Sequence, residues 1–292
     1  PVTIGGMSIA IVSTGTTLQP VLSLPAIAGA DVDVLVNART ATVKVARGMI
    51  LTPNGRKLSI ADGEFKVPNL LQKPSPSQTH FRVDGPVAAA AELLTMGPLR
   101  EASGAPLDPV TSRGTMSGLV TVGMLLSKQM GDTKANYSVN ADFTNFAADH
   151  LIMSQRLDAA ALHLQADNDG YQIKGDVKIG GSPATMDYRK RTGDAEAELR
   201  LQSVLDDAMR AHLGFNLGPG LSGPVPIRLT GHLGSNGRDG RFNVEADLTH
   251  ASIDDLLPGW VKPAAKPARA TFTMSTKATG TRVDDLSIDS SG

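Results

Sequence analysis

The chain has no cysteine, few aromatic residues and almost no excess of charge. Without cysteine among its 292 residues, it can form neither disulfides nor thiolate metal sites, and it has no cysteine nucleophile. Aromatic residues make up 4% of the sequence, so Ala, Val, Leu, Ile and Gly must supply any hydrophobic core. Its 28 basic and 29 acidic residues give a net charge of -1, without the basic stripe that a nucleic-acid backbone requires. Composition therefore argues against nucleic acid as a partner.

Long hydrophobic runs are also missing. The nearest stretch, Met7 to Val12, is interrupted by Ser8 and falls far short of the roughly 20 apolar residues that a membrane-spanning helix needs. The chain begins at Pro1 without a signal-peptide pattern and stops at Gly292, directly after strand-like residues. We expect it to be a fragment of a longer protein, with any anchor or signal outside this sequence.

Short segments in which small apolar residues alternate with polar ones are abundant. Two segments show this most clearly. The apolar residues of the first are Tyr171, Ile173, Val177 and Ile179, and those of the second are Phe242, Val244, Ala246 and Leu248. Successive strand side chains point to opposite faces, so this period of two predicts sheets with one apolar and one polar face. Such strands, separated by Gly, Asn and Asp turns, favour an antiparallel barrel, a sandwich or an open curved sheet over a doubly wound fold.

Three segments predict short helices, and two dipeptides predict hairpin turns. Pro86 precedes an Ala-rich run that predicts a helix over Val87 to Met96. Ser203 with Asp206 predicts a helix that stops at Gly214, and Ser252 predicts a helix from Ile253 to Leu257. The hairpin signals are Asn54-Gly55 and Asp62-Gly63. The loop 98–114, with three prolines, is a possible boundary within the chain.

Two motifs match ligand-binding patterns only in part. The string Gly218 to Gly223 fits G-x-G-x-x-G, but Pro224 and Pro226 follow it where a dinucleotide loop would open a helix. The segment Asp167 to Asp176 approaches a calcium loop, but strong alternation on both sides favours a hairpin turn. We therefore expect no cofactor and no metal.

Candidate catalytic residues form no recognisable arrangement. The six histidines lack paired metal-ligand spacing, and His80, His163 and His232 fall on the polar faces of their strands. There is no G-x-S-x-G nucleophile elbow, and no pair of carboxylates at a defensible spacing. The sequence favours a protein that is not an enzyme.

Several short strings together resemble the AsmA-like envelope proteins of Gram-negative bacteria, particularly the YhdP and TamB side of that superfamily. They include Arg82 to Pro86, Gln172 to Gly181 and Leu221 to Val225. The most similar string is Ala246 to Ala251, followed by Gly259 to Pro263 and Pro267-Ala268, with Ala265 where the family pattern has Gly. The resemblance covers roughly Leu58 to the end of the chain.

The resemblance implies a fold, a location and a partner. The fold would be mainly β, an extended, curved antiparallel sheet with an open apolar groove and a few short helices, with residues 1–292 forming part of one elongated groove. The parent protein would be periplasmic, anchored in the inner membrane, and implicated in moving phospholipids or other envelope lipids to the outer membrane. Membranes would be contacted through parts of the parent protein outside this chain, and no catalytic residues are implied.

The apolar strand faces supply the candidate binding residues. Most half-apolar strands pack on another sheet or a helix, yet a face of small aliphatics can also hold acyl chains. We expect lipid contact at Leu162, Leu164, Ile173, Val177, Leu199, Leu201, Leu229, Val244 and Leu248. The alternative is a structural scaffold or assembly factor in outer-membrane biogenesis, whose apolar faces pack on each other.

Overall fold

The computed structural model describes residues 8–97, 99–100, 107–126, 135–212, 220–235, 237–257, 260–277 and 279–290. Strands account for 69% of the structure, which confirms the mainly β prediction. Fifteen strands form one long antiparallel sheet that is open, with β1 and β18 at its edges. In order across the sheet they are β1 (Ile9–Leu18), β2 (Ile27–Val36), β3 (Ala41–Leu51), β4 (Lys57–Val67), β5 (Ser75–Pro86), β6 (Arg113–Leu126), β7 (Asn136–Ile152), β8 (Gln155–Asp167), β9 (Gly170–Ile179), β10 (Ser182–Arg191), β11 (Glu196–Leu205), β13 (Val225–Gly234), β14 (Gly240–Asp247), β17 (Ala268–Lys277) and β18 (Gly280–Ser290).

A second sheet and two short helices come from longer insertions between these strands. The second sheet contains β12 (Leu221–Ser222), β15 (Ser252–Leu257) and β16 (Trp260–Lys262). Helix α1 (Val87–Leu94) follows β5, and helix α2 (Asp207–His212) follows β11. Strands that are consecutive in the large sheet are close in sequence, as expected for a chain of hairpins. Among the helices that the structure describes, none is both long and apolar enough to cross a membrane.

Contacts divide the chain into two compact units. Unit 1 contains Pro1–Phe146 and His163–Tyr171, and unit 2 contains Ala147–Leu162 and Gln172–Gly292. The division passes through β7, β8 and β9. Part of the loop 98–114, the predicted possible boundary, lies outside the described residues, and that boundary stays a prediction.

Helix α1 is confirmed, whereas α2 begins later than predicted. Pro86 has extended backbone angles and precedes the first residue of α1, and the Thr95 hydroxyl donates to the carbonyl of Glu92 at 2.7 Å where the helix ends. Ser203 belongs to β11, and the helix cap is Asp206, whose carboxylate accepts the Met209 N–H at 2.8 Å. Gly214, the predicted end of this helix, lies outside the described residues.

Two further local predictions are wrong, and two strands, β1 and β16, were not anticipated. Ser252–Leu257 is strand β15, because Ile253 pairs with both Leu221 and Lys262 and this pairing overrides the local helix signal. Asp62-Gly63 makes no hairpin. It lies within β4 at an irregularity in the pairing with β5, where Asp62 has a φ of 53°. Strand β1, before the first expected strand, pairs with β2.

Two turn predictions are confirmed. Asn54-Gly55 lies in the turn between β3 and β4, where the Gly55 N–H donates to the Thr52 carbonyl at 2.9 Å and Gly55 has a φ of 76°. Asp167 to Gly170 forms the turn between β8 and β9. There the Asp167 carboxylate accepts the Asp169 N–H at 2.8 Å, and the Asn168 side chain binds the backbone of Ala135 and Tyr137. This calcium-like segment is therefore a hairpin turn.

Candidate functional site

The apolar strand residues of unit 2 line up in rows that cross the sheet. Directly opposed residues of antiparallel strands point to the same face, so the register assigns the side chains to faces. One row contains Met186, Leu201, Leu229, Val244 and Phe272. The next row contains Tyr188, Leu199, Gly231, Phe242 and Met274. Three of the predicted lipid-contact residues, Leu201, Leu229 and Val244, are therefore direct neighbours.

The apolar face of unit 2 is largely buried. Leu199 and Phe242 are 0% exposed, and Val244 is 4% exposed. Of the nine predicted lipid-contact residues, seven are buried, and only Leu164 and Ile173 are partly exposed. The buried residues are Leu162, Val177, Leu199, Leu201, Leu229, Val244 and Leu248. In this structure their side chains are covered and not available as an open groove.

The small sheet helps to close one end of the apolar face of unit 2. Ala251, directly before β15, and Ile253 of β15 pack in one cluster with Val225 of β13, Ala270 of β17 and Leu248, which follows β14. Lys262 of β16 is 3% exposed, and its Nζ donates to the carbonyl of Ala251 at 2.7 Å. Burial lowers the pKa of Lys262, and attraction to Asp247 offsets only part of that effect. The small sheet is thus fixed by apolar packing and by a buried cation.

Helix α2 is fixed by a second buried cation. Arg210 is 6% exposed and donates to the carbonyls of Leu205 at 2.9 Å, Gly223 at 2.7 Å and Leu221 at 3.1 Å. It also forms an ion pair with Asp207. These bonds hold the insertion between β11 and β13 against the end of β11.

The apolar face of unit 1 is only half-buried along the middle of its strands. Val34, Val43, Phe65, Thr79 and Val122 form one row across β2 to β6, and each is partly exposed. Several neighbouring residues on the same face are also partly exposed, although Val32, opposite Val45, is buried. We call seven of the partly exposed apolar residues the open patch: Val34, Val43, Val45, Phe65, Phe81, Val120 and Val122. The sequence predicted the strands that carry this patch, and the same alternation could have identified it as a candidate site.

Helix α1 covers one end of this face. It contacts β4, β5 and β6, and Val87, Ala89 and Ala91 are at most 1% exposed. Leu58 and Ile60 of β4, at that end of the strands, are 1% and 4% exposed. Here the inserted helix replaces the partial exposure of the open patch with close packing.

A buried carboxylate attaches α1 to the turn between β3 and β4. The side chain of Glu92, 5% exposed, accepts hydrogen bonds from the Thr52 hydroxyl at 2.8 Å and the Asn54 N–H at 2.8 Å. The Arg56 guanidinium donates to it at 2.6 Å. Burial raises the pKa of Glu92, but the hydrogen bonds from Asn54, Arg56 and Thr52 outweigh burial and hold the pKa below its ordinary value. Glu92 is therefore a charged anchor.

The opposite face of the sheet carries mostly polar and charged side chains, and in unit 1 Leu35 and Leu119 are also exposed there. In unit 2, Asp187 lies opposite Arg200, and Arg189 lies opposite Glu198. Arg269 forms an ion pair with Glu245, and a hollow of about 1340 Å³ beside them has acidic and basic residues in its lining. In unit 1, His163 bonds to Asp142 at 2.8 Å with both side chains substantially exposed. These mixed, exposed pairs define no single ligand class.

The remaining motifs acquire no ligand geometry in the described part of the chain. Gly218 and Pro219 lie outside the described residues, and Leu221 and Ser222 form strand β12. Within the described ranges, no group of three His, Asp or Glu residues could hold a metal ion. His232 is exposed on the polar face, opposite Glu198 and Arg241.

Comparison with protein-family models, with curated proteins and with solved structures finds no match for this chain.

Proposed function

We propose that this chain is a segment of a periplasmic bridge-like protein that carries phospholipids between the inner and outer membranes along an apolar groove. The observation that carries the proposal is the open patch of unit 1. It is an apolar surface on one face of an open sheet whose other face is mostly polar and charged, with single exposed apolar residues such as Leu35 and Leu119. The resemblance to AsmA-like envelope proteins is what places the proposed activity in the periplasm and connects it to two membranes.

The chemistry of the open patch suits acyl chains. Its seven residues are five valines and two phenylalanines among strands that also contain glycine and threonine, so it presents hydrocarbon with few polar atoms. Each methylene that leaves water for such a surface contributes about 0.8 kcal/mol. Because the contacts are alike along the surface, a bound chain meets no deep trap when it slides. Headgroups would remain in water, so we propose no headgroup selectivity and no reaction.

A second candidate function is a scaffold in outer-membrane biogenesis that transports nothing. The burial of Leu199, Leu229 and Val244 favours it for unit 2, since a face packed to this degree leaves little surface for a ligand. Only the transport function places a ligand on the exposed apolar residues of unit 1. Unit 1 is therefore where they can be separated.

Site-specific photo-crosslinking in the parent protein tests the proposal. A benzophenone side chain at Val43 faces the open patch, whereas the same group at Lys44 faces the charged side, where Lys44 lies opposite Glu64. We expect phospholipid adducts at Val43 and Val122 but not at Lys44 or Thr121. Adducts at all four positions would indicate non-specific labelling, and their absence at all four would favour the scaffold.

A further inference from the structure

Helix α1 occupies apolar surface that the strands would otherwise present to a ligand. Leu58 faces the same side of the sheet as Ile50, its direct partner. Ile60, two residues further along β4, also faces that side. Both belong to the apolar face that continues into the open patch, because the irregularity of β4 at Asp62 shifts its alternation. Ile60 and Phe65 lie opposite Val83 and Thr79, which share one face of the regular strand β5. Val87 and Ala89 of α1 are fully buried at this end.

The anchor of α1 lies on the same side of the sheet. Thr52 lies two residues after Ile50, and Arg56 lies two residues before Leu58, so their side chains point to the same face as these two residues. Both donate hydrogen bonds to the Glu92 carboxylate. Glu92 is the only charged residue in the helix, and its other neighbours there are Ala and Leu. A single carboxylate thus ties an otherwise apolar helix to the β3–β4 turn.

Helix α1 is long enough to cover a few neighbouring strands. Eight residues make a helix about 12 Å long, and neighbouring strands lie about 4.8 Å apart. Such a helix covers two to three strands, in agreement with its contacts to β4, β5 and β6. An extended chain that follows these strands from the open patch would meet the helix.

We propose that α1 is a stopper that ends the acyl-binding surface of unit 1 and thereby limits the chain length it accepts, with Glu92 as the residue that positions the stopper. This inference rests on the proposed function, because it names where bound chains end. Releasing α1 uncovers Leu58 and Ile60 and lengthens the surface. Each methylene that reaches the uncovered surface should then tighten binding about fourfold, the equivalent of about 0.8 kcal/mol.

The test measures affinity against acyl-chain length. Saturated fatty acids of increasing length displace a fluorescent fatty acid from the full chain, in the original protein and in the Glu92→Ala and Glu92→Gln variants. We expect affinity in the original protein to rise with length and then level off. In Glu92→Ala it should continue to rise beyond that length, and Glu92→Gln, which keeps an acceptor oxygen, should lie between the two. Glu64→Ala, on the polar face of β4, is the matched control and should keep the original limit.

A cysteine pair covers the case in which Glu92→Ala fails to fold. Because the chain has no cysteine, a Thr52→Cys, Glu92→Cys double variant can be joined at these two positions by a short bifunctional maleimide, which spans the reach of the Glu92 side chain where a disulfide is too short. The crosslinked form should show the original length limit, and the form without crosslinker should extend it. Hydrogen exchange over Val87–Leu94 reports whether the helix has been released.

The outcomes separate the two proposals. If the original protein binds acyl chains and the limit stays unchanged although α1 is released, the stopper is wrong and the proposed function stands. If no chain of any length binds to the original protein, the proposed function fails and the stopper fails with it. A limit that moves with release of α1, and returns on crosslinking, supports both.

Discussion

Units 1 and 2 are built from the same period-two strands, but their apolar faces differ in exposure. In unit 1, Val43, Phe65 and Val122 are partly exposed, whereas Leu199, Leu229 and Val244 of unit 2 are buried. Side-chain size is one reason: the two rows of unit 2 contain Leu, Met and Phe at most positions, whereas five of the seven open-patch residues of unit 1 are the smaller Val. Insertions are another, because unit 2 adds the small sheet and α2 where unit 1 adds α1.

This difference shows that alternation alone does not identify a groove. The residues with the strongest alternation, in β9 and β14, were the natural candidates for lipid contact, and most of them are in the packed face. The less conspicuous valines of β2, β3 and β6 carry the open surface. The comparison of the two units is therefore the most direct basis for experiments.

The largest expected effect is from a charge placed in each apolar face. In Val244→Asp the carboxylate replaces a side chain that is 4% exposed between Leu229 and Phe272, so we expect a loss of about 4 kcal/mol or unfolding of unit 2. In Val43→Asp the carboxylate can keep water, so we expect a loss of about 1 kcal/mol together with loss of acyl-chain binding. Hydrogen exchange resolved by peptide measures each unit. Equal destabilisation of the two units would show that the open patch is closed in solution.

Truncation of a buried side chain should have the next largest effect. Leu199 is 0% exposed, so Leu199→Ala should destabilise unit 2 by about 2 to 5 kcal/mol through lost burial and a cavity. Val122→Ala, on the open patch, should cost about 1 kcal/mol or less. Urea unfolding, monitored by proteolysis, gives the change in the free energy of unfolding for both variants. A cost at Val122 as large as that at Leu199 would remove the distinction between the faces.

Acid should weaken the anchor of α1. The folded-state pKa of Glu92 lies below its ordinary value of 4.5, so its contribution is fully present above that pH and is lost as the pH falls through the folded-state pKa. Hydrogen bonds to a charged group contribute about 2 kcal/mol in total at such a site. Exchange protection of Val87–Leu94 should therefore fall in acid. Glu92→Gln should remove this pH dependence, and a profile that is unchanged in that variant would assign the effect to another group.

The smallest effect is expected on the charged face. Arg269→Ala breaks an ion pair with Glu245 in which both side chains are roughly half-exposed, so we expect a change of about 0.5 kcal/mol or less. The same variant should leave acyl-chain binding unchanged. Thermal unfolding and the displacement assay check both statements. A large loss of binding would place lipid on the charged side of the sheet and reverse the assignment of the two faces.

The sequence by itself determined the strands and the faces to which their side chains belong. The alternation of Tyr171 to Ile179 and of Phe242 to Leu248 predicted strands that the structure contains, because a period of two is a local property of extended backbone. Pro86 marked the start of α1 for a similar local reason, since its fixed φ suits a helix start.

Only the tertiary structure decided which apolar residues are covered. Ser252 to Leu257 resembles a capped helix but pairs as β15 with strands from two other segments, and Glu92 reaches a turn 40 residues earlier in the chain at Thr52. Exposure of Val43 or burial of Val244 depends on such distant partners and on the volumes of side chains across the sheet. Local periodicity contains no information about either, because it records which way a side chain points and not what lies opposite it.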